Sequence, residues 1–428
     1  METDVVVVGA GAAGLAAALW LAERSVRVIA IDGRDRIGGR VRWETAGSVT
    51  LPAELGAEFI HGDAPETSAF LRDAGLGTVP TGDTAWTCDA AGILQPAADD
   101  DFSGDLFERV DPSGPDESVD TFLRRFEGDP AMRERAVRAR TFVEGFEAAD
   151  PARASARAIA DEIRSGVDST SSRPAGGYAP LFDDLAARCA RAGVDVRLNT
   201  AAERIAWSRG DVAIETHTGS TFRARRAIIT VPVGVLRERG ATQLAFAPPL
   251  PPDKQTALRG LEMGQVVRVV LAFRTPFWEQ VAGGRYRDAA FFRCESGAFN
   301  AFWTQHPLRD RSIVAWAGGP RADALRDCSA GERIERARDA FGALFGERER
   351  ARRDYEDGVT HDWSADPFAR GAYSYVATGA GAVRAALGTP VDATLFFAGE
   401  ATATDGQGGT VSGAFATGLR AAREAVAS

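Results

Sequence analysis

The chain has 428 residues, 45% of them hydrophobic, and a formal net charge of −10. That length exceeds one simple core and points to two domains of a soluble globular protein, and the acidic balance argues against nucleic acid or an anionic membrane surface as partner while suiting a cationic ligand. The four cysteines (Cys88, Cys189, Cys294, Cys328) and four histidines (His61, His217, His306, His361) show neither C-x-x-C pairs nor ligand spacing, so no metal site and no disulfide framework are expected. Residues 5–8 are an all-apolar β-branched run, as for a strand covered on both faces. Gly9, Gly11 and Gly14 follow as G-x-G-x-x-G, then a helix over 12–24 and a second strand over 26–31 ending at Asp32. This is the dinucleotide-binding fingerprint: the glycines allow a tight turn, close approach to a pyrophosphate and close helix packing, and the acid accepts from ribose hydroxyls. Residues 5–22 carry no charge, but the glycine triplet and the missing basic leader argue against a membrane span or signal peptide, so a reducing cytoplasm is the default location.

Polar turns and short strands follow to residue 62, and 66–170 reads as mainly helix and loop, with helical spacing at 71–76 and 118–126. Between them, residues 97–118 are acidic and rich in Gly, Pro and Ser, which predicts an exposed loop. The α/β pattern returns with a helix after Gly177 bearing Leu181, Leu185 and Ala186 on one face. Strands follow in DVRLNT, in DVAIETHT and in 224–236, the last stopped by Pro232 and Gly234. After 248–252 come strands at 265–273 and 312–318, an amphipathic helix at 331–346, and a final strand, glycine loop and helix. The α/β pieces thus fall at 1–65, 172–245 and 386–428. The two inserted segments, 66–171 and 246–385, are expected to roof whatever those pieces hold.

Six stretches together resemble the flavin-containing amine oxidase family, which includes monoamine and polyamine oxidases, lysine demethylases and L-amino acid oxidases. They are GAGAAG (9–14), DGRDRIGGRV (32–41), ELGAEFIHG (54–62), AIITVPVGVL (227–236), WSADPFARGAYSY (363–375) and FFAGEATATDGQGGTVSGA (396–414). The resemblance implies an α/β fold: a Rossmann-like FAD-binding domain in discontinuous segments with an inserted α+β substrate domain. It implies FAD in contact with Gly9, Gly11, Ala12, Ala13 and Gly14. Asp32 and Gly33 would meet the adenosine ribose, where the family more often has Glu. Arg34 and Arg40 would neutralise adenosine and pyrophosphate groups, with Gly38 and Gly39 beside them; the alternative for Arg34, Arg36 and Arg40 is a solvated surface cluster. Gly56, Ala57, Glu58, Ala202 and Val231 would complete the cofactor wall. Gly399 and Glu400 would reach the ribityl hydroxyls, and Gly409, Thr410 and Val411 the flavin edge, where a helix N-terminus stabilises negative charge.

The chemistry implied is hydride transfer from an amine's α-carbon to flavin N5, hydrolysis of the imine, and reduction of O2 to peroxide. Trp363 and Tyr373 would be a flavin-side tryptophan and one wall of an aromatic cage. The opposite wall falls at Thr410, which is not aromatic. His61 would relay a proton or hydrogen-bond the amine. Glu58, or Glu144 from the helical segment, would pair with a substrate ammonium. Arg268 stands where the family usually has lysine. It implies either slow reoxidation, hence a dehydrogenase, or bidentate binding of a substrate carboxylate. The only lysine, Lys254, lies in a proline-bounded segment and is a poor substitute. FARGAYSY lacks the cysteine that links flavin covalently in monoamine oxidases, so non-covalent FAD is expected. Two other readings remain at this level: a flavin-dependent C–C desaturase, and a flavin-binding interaction protein. Neither the identity of the amine nor the oligomeric state is written in the sequence.

Overall fold

The computed structural model describes residues 1–88, 91–97, 103–167, 170–240 and 242–427. Its first layer is a five-stranded sheet in the order Asp195–Arg197, Val28–Ile31, Val5–Val8, Arg226–Ile229, Leu395–Phe397. Every pairing is parallel. Alternate side chains enter different cores. Val5, Val7, Val28 and Ala30 pack among the helices Ala12–Ala22, Ala179–Arg191 and Val411–Ala427. Val6, Val8, Ile29 and Ile31 pack on the opposite face with Ile205, Val212 and Ile214 of a four-stranded sheet. Two covered faces are why these strands are apolar throughout.

The second layer is a seven-stranded mixed sheet, ordered Tyr355–His361, Val266–Phe273, Ser312–Gly318, Ala301–Trp303, Phe291–Arg293, Ala85–Cys88, Leu94–Pro96. Its register sets one cross-sheet row: His361, Arg268, Trp316, Ala301, Arg293, Thr87, Gln95. From Arg268 to Gln95 that row spans about 24 Å, at ~4.8 Å per strand.

Several expectations are corrected. The first helix ends at Ala22, and Ser25 turns the chain at φ 64°. The second strand begins only at Val28. Within 66–170, read as mainly helix and loop, Ala85–Cys88 and Leu94–Pro96 add two strands to the large sheet. Within 97–118, residues 98–102 lie outside the described residues. Ser103–Arg109 is a 3-10 helix whose Leu106 and Phe107 are buried against Phe122, so two apolar residues anchor what composition alone marks as exposed. Pro232 opens the short helix Val233–Arg237, which contains Gly234, rather than ending a strand. Cys88 and Cys294 form a disulfide, with Cα atoms 4.9 Å apart and a sequence separation of 206. They lie at the ends of neighbouring parallel strands, a proximity that spacing cannot show. No helix among the described residues is long and apolar enough to cross a membrane.

Two close approaches position the site. A Cβ at Gly14 would stand 1.8 Å from the Gly9 carbonyl oxygen, and one at Gly418 would stand 2.2 Å from that of Ala13. Glycine at these positions lets the first and last helices pack against each other and against the first strand.

Candidate active site

A cavity of about 1400 Å³ runs from the glycine turn to the large sheet. At its first end are Gly9, Gly11, Ala12 and Ala13. Gly9 adopts φ 113°. No side chain caps the helix that starts at Ala12, so its N-terminus is available to an anion. Gly14 does not line the cavity; its part is packing. Asp32 lines it, with carboxylate oxygens accepting from Ala10 N (2.7 Å) and Arg34 N (2.9 Å). Burial raises its pKa against those two bonds. Gly33, Gly38, Gly39, Ala202 and Val231 line the same end.

The basic residues here are not a solvated cluster. Arg34 donates to Asp366 at 2.6 Å, and its Nη2 is buried without a partner. Arg36 is used structurally, donating to the carbonyls of Ile37, Val41 and Gly39. Arg40 lines the cavity and donates to Ala372 O and Glu400, both at 2.8 Å.

Glu400 lies between this end and the last helix. It accepts from Arg40, from Ser374 Oγ at 2.7 Å and from Gly409 N at 3.1 Å. Burial opposes its ionisation, but Arg40 and Arg384 outweigh burial and hold its pKa below the usual range. Gly399, Gly409, Thr410 and Val411 border the cavity beside it. The Thr410 hydroxyl accepts from Gly413 N at 3.0 Å, capping the last helix. A Cβ on Gly409 would stand 3.1 Å from the Tyr373 ring, so Tyr373 and Thr410 are near neighbours.

Trp363 and Tyr373 both line the cavity. Trp363 donates from Nε1 to Leu55 O at 2.8 Å, and its ring meets His361 edge-on at 4.4 Å. His361 in turn bridges Arg42 and Asp366, each at 2.8 Å. The Tyr373 hydroxyl donates to Phe146 O at 2.5 Å. Phe146 stacks on Phe142 at 5.0 Å and meets the edge of His61 at 5.1 Å. The helical segment therefore supplies cavity wall beside Tyr373 and His61. Sequence reading did not single out those phenylalanines, which are four residues apart. His61 lines the cavity, and burial pushes its pKa down to about 4.

Glu58, Gly56 and Ala57 also line the cavity. Glu58 is not free to take a substrate ammonium. It accepts from Arg173 Nε at 2.6 Å, from Trp303 Nε1 at 3.0 Å and from Arg268 Nη2. Burial raises its pKa, but Arg268 and Arg173 together hold it below the ordinary value. Arg268 spends Nη1 on Gly56 O at 2.8 Å and Nη2 on Glu58. The fork needed for bidentate carboxylate binding is thus occupied, against that expectation. Glu144 is paired with Arg321 at 3.0 Å and is not among the cavity-lining residues; Glu147, three positions on, is. Lys254 is far from this chemistry, donating from Nζ to Ala386 O and Leu387 O at 2.6 and 2.7 Å at the end of a helix. Sequence reading missed Arg173, Trp303, Trp316 and Asn300, whose roles depend on strand register.

With this geometry in view, the likeness to known proteins is specific. Residues 12–426 match the family described as flavin containing amine oxidoreductase. Polyamine oxidase 3 of Oryza sativa subsp. japonica is 30% identical, the match covering 98% of this chain and 88% of that protein. Lysine-specific histone demethylase 1 homolog 3 of Arabidopsis thaliana is 28% identical over 98% of this chain, which spans 30% of that longer protein. A structure of wild-type putrescine oxidase bound to putrescine shares the fold at TM-score 0.84, with 23% identity and 100% of both chains covered. The chain belongs to the flavin containing amine oxidoreductases. Its reaction is FAD-dependent oxidation of an amine.

Two outcomes follow from the charges. Glu58→Gln leaves two guanidiniums buried without their carboxylate and should lower unfolding free energy by about 3–5 kcal/mol in denaturant titration; a change under ~1 kcal/mol would show that the triplet is not what holds this wall. Folded His61 stays neutral to about pH 4, while the unfolded residue protonates near 6.5. The unfolded chain therefore binds more protons between those values, and stability present above pH 6.5 is lost as pH falls toward 4. His61→Gln should flatten that part of the melting-temperature profile, and an unaltered profile counts against the assignment.

Proposed function

We propose that the chain oxidises a primary amine bearing a second cationic nitrogen, a diamine or polyamine, on non-covalently held FAD with O2 as acceptor. The observation that carries this is the charge of the outer cavity wall. Among its described residues from 80–171 and 291–316, five carboxylates (Asp83, Glu134, Glu147, Glu162, Glu295) face two guanidiniums, Arg138 and Arg293. Such a wall draws in cations. The polyamine oxidase relative and the putrescine-bound neighbour support the same reading.

In this proposal 1–65, 172–245 and 386–428 hold FAD, and 66–171 with 246–385 form the substrate domain. The uncapped first helix and the unpartnered Nη2 of Arg34 are where the residues present fit an anionic dinucleotide. Asp32 would take the ribose, Arg34 and Arg40 the charged groups, and the N-terminus of the last helix at Val411 the flavin edge. When bound, the flavin supplies the two-electron oxidation. The protein's share is placement and dryness. Trp363, Tyr373 and Phe146 confine the amine, and neutral His61 can accept its N–H. Arg268 acts through Glu58 and Gly56 as a fixed positive wall, not as a base.

Anaerobic mixing should bleach the flavin with putrescine or spermidine faster than with benzylamine, and air should restore colour with peroxide. Monoamines reacting as fast or faster would remove the diamine reading, and colour that fails to return would make the chain a dehydrogenase. The described cysteines at the cavity, Cys88 and Cys294, are bonded to each other, so acid precipitation should leave flavin in the supernatant. Flavin in the pellet would overturn non-covalent binding.

A further inference from the structure

We infer that Asn300 selects for the second nitrogen of the substrate, an inference that rests on the diamine reading above. Asn300 is only 3% exposed yet forms part of the cavity wall. Its main chain is fixed in the large sheet, N donating to Trp316 O at 3.2 Å and O accepting from Cys294 N at 2.9 Å. Its side chain is not: Oδ1 is buried with no hydrogen-bond partner among the described residues. Neighbouring polar groups differ. Trp316 Nε1 donates to Gly145 O at 2.8 Å, and Thr304 Oγ1 donates to Ala289 O at 2.8 Å. A buried amide oxygen left unpaired in the cavity wall calls for an occupant that donates to it.

Its position fits that occupant. Asn300 immediately precedes Ala301, which sits two strands from Arg268 in the cross-sheet row. The separation is about 10 Å, toward the strand end that brings Arg293 and Glu295 to the cavity. Either end of the amide can turn toward the cavity, since amide orientation follows the hydrogen bonds available. An ammonium or secondary amine at that depth donates to Oδ1. An alkyl tail leaves the amide unpaired, and sites built to bond a polar group reject analogues lacking it.

The decisive pair is 1,4-diaminobutane against n-butylamine, equal in carbon count and different only in the far nitrogen. Anaerobic flavin reduction, followed against amine concentration, separates the dissociation constant from the limiting rate. Asn300→Leu should cut the preference for the diamine about tenfold or more, with the loss in the dissociation constant. Asn300→Asp should raise that preference and make it salt-sensitive. If wild type prefers butylamine, the diamine reading itself falls. If wild type prefers the diamine and Asn300→Leu keeps the ratio within about twofold, Asn300 holds only a water and the inference is overturned. Should Asn300→Leu fail to fold, Asn300→Asp decides: an unchanged ratio overturns the inference, and a raised, salt-sensitive one supports it.

Discussion

Glu58 sits in a wall closed to solvent with two guanidiniums on it, and arginine cannot relieve such a site by losing its proton. The arrangement persists only if all three partners are delivered together. They come from three distant parts of the chain: Glu58 from the stretch after the glycine-rich run, Arg173 from the strand Ser171–Pro174, and Arg268 from the strand Val266–Phe273, second from one edge of the large sheet. Trp303 from another strand of that sheet closes the set. The ion triplet therefore ties the Glu58 stretch and the small antiparallel sheet that carries Arg173 to the seven-stranded layer at the cavity. It also fixes Gly56, whose carbonyl accepts from Arg268. The positions of Ala57 and Phe59 depend on this junction.

The other end of the cavity depends on backbone approach. Two helices begin there, at Ala12 and Val411; glycine at 418 lets the last helix approach the first, and glycine at 14 lets the first close on the Gly9 turn. Glu400 is held between Arg40 on one side and Ser374 and Gly409 on the other. Charge at this end is thus matched carboxylate to guanidinium, while the first helix keeps its N-terminus free of any side-chain cap.

Much of this was readable in the sequence, and the division has a physical basis. The glycine turn, its strands and Asp32 follow from local rules of backbone geometry, so they appear in the chain as spacing. Arg40, Glu400, Trp363 and Tyr373 belong to contiguous motifs, and all four line the cavity. What the sequence did not reveal depends on register between distant strands. Arg268 looked like a free cation because its partner lies 210 residues away. Glu144 was the candidate in the helical segment, but three positions past a helix end decide which carboxylate meets the cavity: Glu144 pairs with Arg321, and Glu147 lines the wall. The Cys88–Cys294 pair and the Asn300 amide are set by neighbouring strands in the same sheet, and periodicity within one strand carries no trace of its neighbour.

The two ends of the substrate path impose opposite demands on an amine, and the wall chemistry follows that order. An aliphatic amine arrives charged, which the outer carboxylates favour. Hydride loss from the α-carbon requires the nitrogen lone pair, hence the neutral amine. Burial pushes the His61 imidazole down to about 4, and the same desolvation acts on any ammonium brought beside it. The Arg268–Glu58–Arg173 triplet adds one net positive charge to that wall, which further disfavours a cation there. On the proposed reading, the cavity attracts the substrate as an ion and holds its reacting end where the ion is the less stable form. A second nitrogen set back near Asn300 stays in the acidic region and keeps its charge, so one molecule can satisfy both ends at once.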